Sequence, residues 1–332
     1  MTASVYLLVL GDHLPDPRTG VSPPERERLR AVIEQAVAAE QAGFTGIAIG
    51  EHHFTRYIVS APQLLLAAIA ARTTTLRLST GVTLLAHHDP VRVAEELATL
   101  DALSDGRAEL IAARGVSRET DAAFGITPAE LRPRFHENLR LLLTLLREEN
   151  VTWHGTYRGP LENVTTAPRP VQRPHPTVWI GSGSHASADL AATLGLPLML
   201  PSTLRDPAVH LDLVTHYRRR APGRAPGRVG LPSHVFVAER DARERWRPHL
   251  RTYAAFAGRW RGDGAAIDLD RLMAGAAICG DPSEVADRLN AQQKLLGLDT
   301  HLLLIDIGGL PQDEVLGAIR LFGEKVLPQL TT

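Results

Sequence analysis

The sequence is short of several things, and each shortage excludes something. It has one cysteine in 332 residues, Cys279, which rules out an internal disulfide and any cysteine-rich metal site. Charge of neither sign is in surplus: Lys plus Arg number 36, Asp plus Glu 37, for a net charge of −1. No global field therefore favours nucleic acid or an anionic membrane. The longest clean apolar run, Leu64 to Ala71, falls far below the roughly 20 residues of a membrane-spanning helix. The N-terminal run Val5 to Leu10 lacks a basic flank and is soon followed by Asp12, unlike a signal peptide, so a cytoplasmic location is expected. There is no sequence repeat and no low-complexity tract. A Gly-rich dinucleotide turn is also missing after the first apolar run, where Gly11-Asp12-His13 stands.

What is present is an ordinary globular composition, 44% hydrophobic and 22% charged. Its organisation is an alternation of short apolar runs with longer segments of helical period. Val5–Leu10, Thr45–Gly50, Leu76–Thr83, Ala108–Ala113, Thr177–Gly181, Pro197–Leu200, Val229–Ala238 and Thr300–Ile305 read as strands. Between them, 25–42, 62–72, 90–103, 128–148, 184–194, 206–220, 241–256, 283–296 and 312–326 read as helices. In the first of these, Leu29, Val32, Ile33, Ala36 and Val37 share one face. Eight strands alternating with helices imply a parallel sheet with right-handed crossovers. A closed (β/α)8 barrel, a TIM barrel, fits the count and length best. The expectation is a single domain over 1–332 with insertions near 150–176, which holds five prolines, and 257–281, which is rich in Gly, Arg and Asp.

In such a barrel the site lies at the C-terminal strand ends, and the polar residues there are not random. The second strand ends in Glu51-His52-His53-Phe54, the third near His87-His88-Asp89, the fourth in Arg114-Gly115, the fifth in Gly181-Ser182-Gly183-Ser184. The histidines suggest a metal, but adjacent residues on an extended segment point to opposite faces, and no metal is expected. One of them facing the mouth as a neutral donor or general base is the alternative to two loop histidines satisfied by backbone. The Gly-Ser-Gly-Ser turn opens a helix and presents N–H groups that suit a phosphate, with Ser184, Ser187 and the Arg114 guanidinium as further donors. Ser184 as a plain helix cap is the other reading.

These residues resemble the bacterial luciferase-like flavin monooxygenases. The resemblance runs through Gly43-Phe44 to Glu51-His52-His53-Phe54-Thr55, then Leu78-Ser79-Thr80-Gly81-Val82, Asp89-Pro90-Val91-Arg92, Ser104-Asp105-Gly106-Arg107 and Ala113-Arg114-Gly115. It continues in Leu194-Gly195-Leu196-Pro197 and Gly280-Asp281-Pro282, and covers about residues 5 to 328. It implies a luciferase-like barrel holding reduced FMN, which adds O₂ at its C4a carbon to give a hydroperoxide that oxidises an apolar small molecule. A separate NAD(P)H-flavin reductase would supply the flavin. His52 is implied as the active-site histidine, Arg114 with Gly183, Ser184 and Ser187 as the phosphate cradle, and Gly81–Val82 as a bulge behind the flavin ring that often carries a cis bond. His13, Phe54, Tyr57 and segment 238–260 would face the substrate. Ala113 and Gly183 stand where the light-emitting chain has a cysteine and an acidic residue, which argues against bioluminescence. Two alternatives stay open: an F420-dependent hydride-transfer enzyme of the same superfamily, and a non-catalytic flavin-binding partner subunit. A homodimer through the helices at 62–72 and 90–103 is expected, and a mobile lid over 257–281.

Overall fold

The computed structural model describes residues 3–201, 204–221, 227–261 and 268–331, with 259–261 described for backbone only. Among the described residues eight parallel strands close on themselves. In chain order they are β1 (Ser4–Val9), β2 (Gly46–Ile49), β3 (Arg77–Thr80), β4 (Ala108–Ala113), β5 (Thr177–Gly181), β6 (Leu198–Met199), β7 (Val229–Val237) and β8 (Thr300–Leu304). Each pairs with the next, and β8 pairs with β1, Ser4 opposite Thr300. Closure leaves the barrel no open edge. This is the (β/α)8 barrel that the alternation implied, and helices wrap it because their apolar stripes must be covered by the sheet.

Local chemistry sets the helix starts. Asp89 accepts the N–H of Val91 ahead of the helix Pro90–Leu103. Thr127 and Glu130 form a capping box for Pro128–Arg147. For the helix Pro282–Leu296 the cap is Asp281, which takes the N–H groups of Ser283 and Glu284. No helix among the described residues is long and apolar enough to cross a membrane.

The structure departs from the sequence reading in several places. The third strand stops at Thr80, and Thr83–Leu84 resumes as a two-residue strand paired to β4. The insertion 150–176 contains a hairpin, Val151–Trp153 against Leu161–Val164. Of segment 257–281, residues 262–267 lie outside the described residues. The remainder includes a helix, Leu269–Ala274, with Leu269 and Met273 buried, and a strand, Ala277–Gly280, that adds in parallel to the outer half of β7. That strand has no alternation to betray it because all four residues are buried. The closing helix ends at Leu321 and passes into a wider turn over Phe322–Val326. Of the apolar residues expected at a dimer interface, Ile69, Val93, Leu97 and Leu100 are buried within this chain, while Leu64 is 75% exposed. Those helices spend most of their apolar surface on their own barrel.

Candidate active site

A cavity of about 390 Å³ opens at the C-terminal ends of the strands. Every barrel strand or the segment after it reaches the wall. Period-two alternation decides which residues point in: Ile111 and Ala113 on β4, Pro232 and His234 on β7. The wall is mostly apolar, with Leu8, Leu10, Val82, Met199, Leu200 and Leu302 among its members.

Past β2 the chain places Glu51, His52 and His53 on the cavity. Their roles diverge. The Glu51 side chain is buried and ionised. Its Oε1 accepts from His53 Nε2 at 2.9 Å and His88 Nε2 at 2.8 Å, and its Oε2 accepts the Leu84 N–H at 2.9 Å. Burial by itself raises the pKa of this carboxyl, but the bonds from His88, His53 and Leu84 outweigh it and the net shift is downward. Burial lowers the pKa of His88, yet the Glu51 bond and charge carry it above the ordinary histidine value. His87 turns elsewhere, its Nε2 2.8 Å from Asp121. His52 stacks on Tyr57 with ring centroids 4.1 Å apart. Desolvation pulls its pKa down to about 4, against a smaller opposing pull from Glu51. At neutral pH it is an uncharged imidazole, able to donate from one nitrogen and accept at the other. His53 and His88 thus share Glu51 while His87 goes to Asp121, and among the described residues no group of three or more His, Cys, Asp or Glu is placed to hold a metal ion.

Behind them, the Gly81–Val82 peptide is cis. A Cβ on Gly81 would meet Ala48 Cβ and Leu8 Cδ1 at 2.9 Å, so the chain can run this close to β1 and β2 only as glycine.

The β4–β5 side of the mouth is built differently. Arg114 makes no hydrogen bond or ion pair among the described residues. Partial burial and the nearby Arg132 lower its basicity, with Asp121 pulling the other way. His136 also lies in the field of Arg114, Arg132 and Arg140 and is held below the ordinary histidine value, chiefly by burial. Positive charge therefore collects here without a compensating carboxylate in contact. Next to it, Ser182 and Gly183 line the cavity, and the helix His185–Leu194 begins with Ser184 as its cap. Ser184 Oγ lies 3.1 Å from Ser187 Oγ and 3.3 Å from Ser182 Oγ. Ser184 and Ser187 stand one step behind the wall, and Ser182 takes the place expected of them.

Opposite, the Tyr57 hydroxyl meets that of Tyr253 at 3.1 Å. Tyr253 and Ala257 come from the helix after β7 and complete the wall with His234. Two expected pocket residues are not there. His13 lies in a separate recess between the loops after β1 and β8, its Nε2 on the Pro23 carbonyl. Phe54 has a left-handed backbone, φ 58°, and is 66% exposed outside the cavity wall. Sequence reasoning missed Glu51 as a hub and His234 as a wall residue. The strand alternation of 229–237 was the signal for the latter.

Residues 5–299 match the profile of the luciferase-like monooxygenase family. The chain belongs to that family. Limonene 1,2-monooxygenase of Rhodococcus erythropolis is 27% identical over 89% of this chain and 80% of its own. The oxygenase component of the flavin-dependent trigonelline monooxygenase of Acinetobacter baylyi is 26% identical, covering 83% of each. Among solved structures, monooxygenase RslO1 from Streptomyces bottropensis superposes with a TM-score of 0.87 at 29% identity, over 99% of this chain and 100% of that one. The luciferase-like monooxygenases are oxidoreductases, and so is this enzyme.

Proposed function

We propose that this enzyme is an FMN-dependent monooxygenase: it takes reduced FMN from a separate flavin reductase and uses O₂ to oxidise an apolar small molecule. The observation that carries the reading is Arg114, a guanidinium at the cavity rim with no carboxylate in contact among the described residues, beside a helix N-terminus. That combination suits a phosphate. The residues present fit FMN in other ways. Gly181 packs closely against the wall residues Val82 and Ile111, which a Cβ there would meet at 3.2 and 3.3 Å, so the backbone itself forms this part of the wall beside the Gly81–Val82 segment. The relative with a flavin-dependent oxygenase component supports both the cofactor and the reductase partner.

Bound reduced FMN supplies the activation of O₂. The chain's own residues have simpler tasks. Arg114 and the Ser182–Gly183 turn hold the phosphate, with the helix start at Ser184 directly behind them. Leu8, Val82, Ile111 and Met199 exclude water around the ring. Neutral His52 holds or passes a proton at a ring nitrogen, which a charged imidazolium could not accept. Tyr57 and Tyr253 offer the substrate a polar handle on a mostly apolar wall.

The test is a product assay with isotopically labelled O₂ and reduced FMN, read by mass spectrometry across aldehyde, ketone and aromatic candidates. Label in the product supports the reading. Hydride transfer from reduced F420 without O₂ uptake would move the enzyme to the deazaflavin branch. FMN binding with no turnover of any candidate would favour a flavin-binding partner subunit.

A further inference from the structure

We propose that Glu51 is a positioning residue that sets the wall against which the flavin ring packs, by pinning the segment 81–84 to the end of β2. The inference rests on the FMN reading for its consequence, though not for its geometry.

The segment is held at two points. At its start the Gly81 N–H donates to the Ile49 carbonyl at 2.6 Å, an ordinary backbone bond continuing the β2–β3 ladder. At its end the Leu84 N–H donates to Glu51 Oε2, a side chain standing in for the backbone acceptor that the departing chain no longer offers. Val82, between the two, lies on the cavity wall. Leu84 and Glu51 are both buried, so neither group has water as an alternative partner.

The other oxygen of Glu51 fixes the carboxylate in place. Oε1 receives both His53 Nε2 and His88 Nε2, and an ionised carboxylate only accepts, so both imidazoles must donate there. His88 is itself anchored: its carbonyl, and that of Leu85, accept from Asn138 Nδ2 at 3.0 Å each. The charged and titratable groups facing this cluster are His53 and His88 on Glu51, His52 in the field of Glu51 and His53, and Glu96 beyond His88. Three donors on two oxygens require a carboxylate. An amide at this position must turn its NH₂ toward either the two imidazoles or the Leu84 N–H, so one side of the clasp opens whichever way it sits.

The experiment compares the parent with Glu51→Gln and Glu51→Asp. Folding is checked by circular dichroism, and FMN and riboflavin affinities are measured by fluorescence titration. Glu51→Gln is expected to weaken both flavins alike by about tenfold, because the fault lies in the ring wall and not in the phosphate cradle. Glu51→Asp, which keeps the charge, should recover part of the loss. Without flavin, the His88 titration followed by NMR should fall in Glu51→Gln from its raised position to the ordinary value or below. Flavin affinities equal to the parent's in a folded Glu51→Gln would overturn the proposal, as would an unmoved His88. Should the parent bind neither flavin, the FMN reading fails while the His88 titration still decides whether Glu51 makes the clasp.

Discussion

The two halves of the cavity mouth use their polar groups in opposite ways. On the β2–β3 half, Glu51, His53 and His88 satisfy one another within 2.9 Å, and His87 is spent on Asp121. On the β4–β5 half, Arg114 contacts no carboxylate among the described residues, and Arg132 and Arg140 add to the positive field. One half is finished by the fold; on the proposed reading the other is finished by the phosphate it would bind. Charged groups left unpaired at partial burial raise the cost of the folded state, and the proposed binding role accounts for that cost at Arg114. His52 stands between the halves, neutral.

The sharpest way to break this contrast is His52→Ala. Product formation should fall by roughly a hundredfold, in the range of a lost general acid–base group, while FMN affinity stays near the parent's; full coupled turnover, with peroxide release measured alongside, would remove His52 from the chemistry. Arg114→Ala comes next. It should weaken FMN about tenfold or more, leave riboflavin unchanged, and leave the melting temperature where it was, since no internal partner is lost. Equal loss for both ligands contradicts the phosphate role. On the finished half the signature reverses: Gly81→Ala forces a methyl against Ala48 and Leu8 and should cost about 1–3 kcal/mol of stability, read as a lower denaturation midpoint. Tyr57→Phe, which removes the bond to Tyr253, should cost about 0.5–1.5 kcal/mol of stability, read as a small drop in the denaturation midpoint with FMN affinity intact.

A pH titration sharpens the comparison without mutation. His52 should stay neutral down to about pH 5 and protonate near 4. Because the unfolded imidazole takes its proton first, near pH 6.5, this group adds full stability above that pH. It withdraws it progressively as pH falls from about 6.5 toward 4. An NMR midpoint near the ordinary histidine value would show that the site is wetter than its packing implies.

Much of this was readable in the chain. Seven of the eight barrel strands fall within a residue of the apolar runs, because a parallel sheet covered on both faces needs short continuous hydrophobic segments, and the third stops three residues short of its run, at Thr80. His52, Arg114 and Gly81–Val82 all line the cavity at the strand ends that the motifs mark. What escaped depended on partners far away in sequence. Nothing in Glu-His-His says which member will meet a histidine 37 positions on. Phe54 was expected in the pocket, but its left-handed backbone turns the ring outward. His13 was expected there too, and the loop after β1 folds it back onto Pro23. The strand Ala277–Gly280 carries no period because it is covered on every side.

The placement of sulfur bears on how long such a catalyst lasts. The sole cysteine sits on that covered strand, fully buried, its thiol pushed up to about 12 by desolvation. It is therefore almost never a thiolate and offers stray oxidant no nucleophile. Met199 is the exception, since among the cavity-lining residues it alone carries sulfur. Wear from uncoupled turnover should accumulate there first, as a sulfoxide on the cavity wall, and the mass of the peptide spanning β6 would record the enzyme's working age.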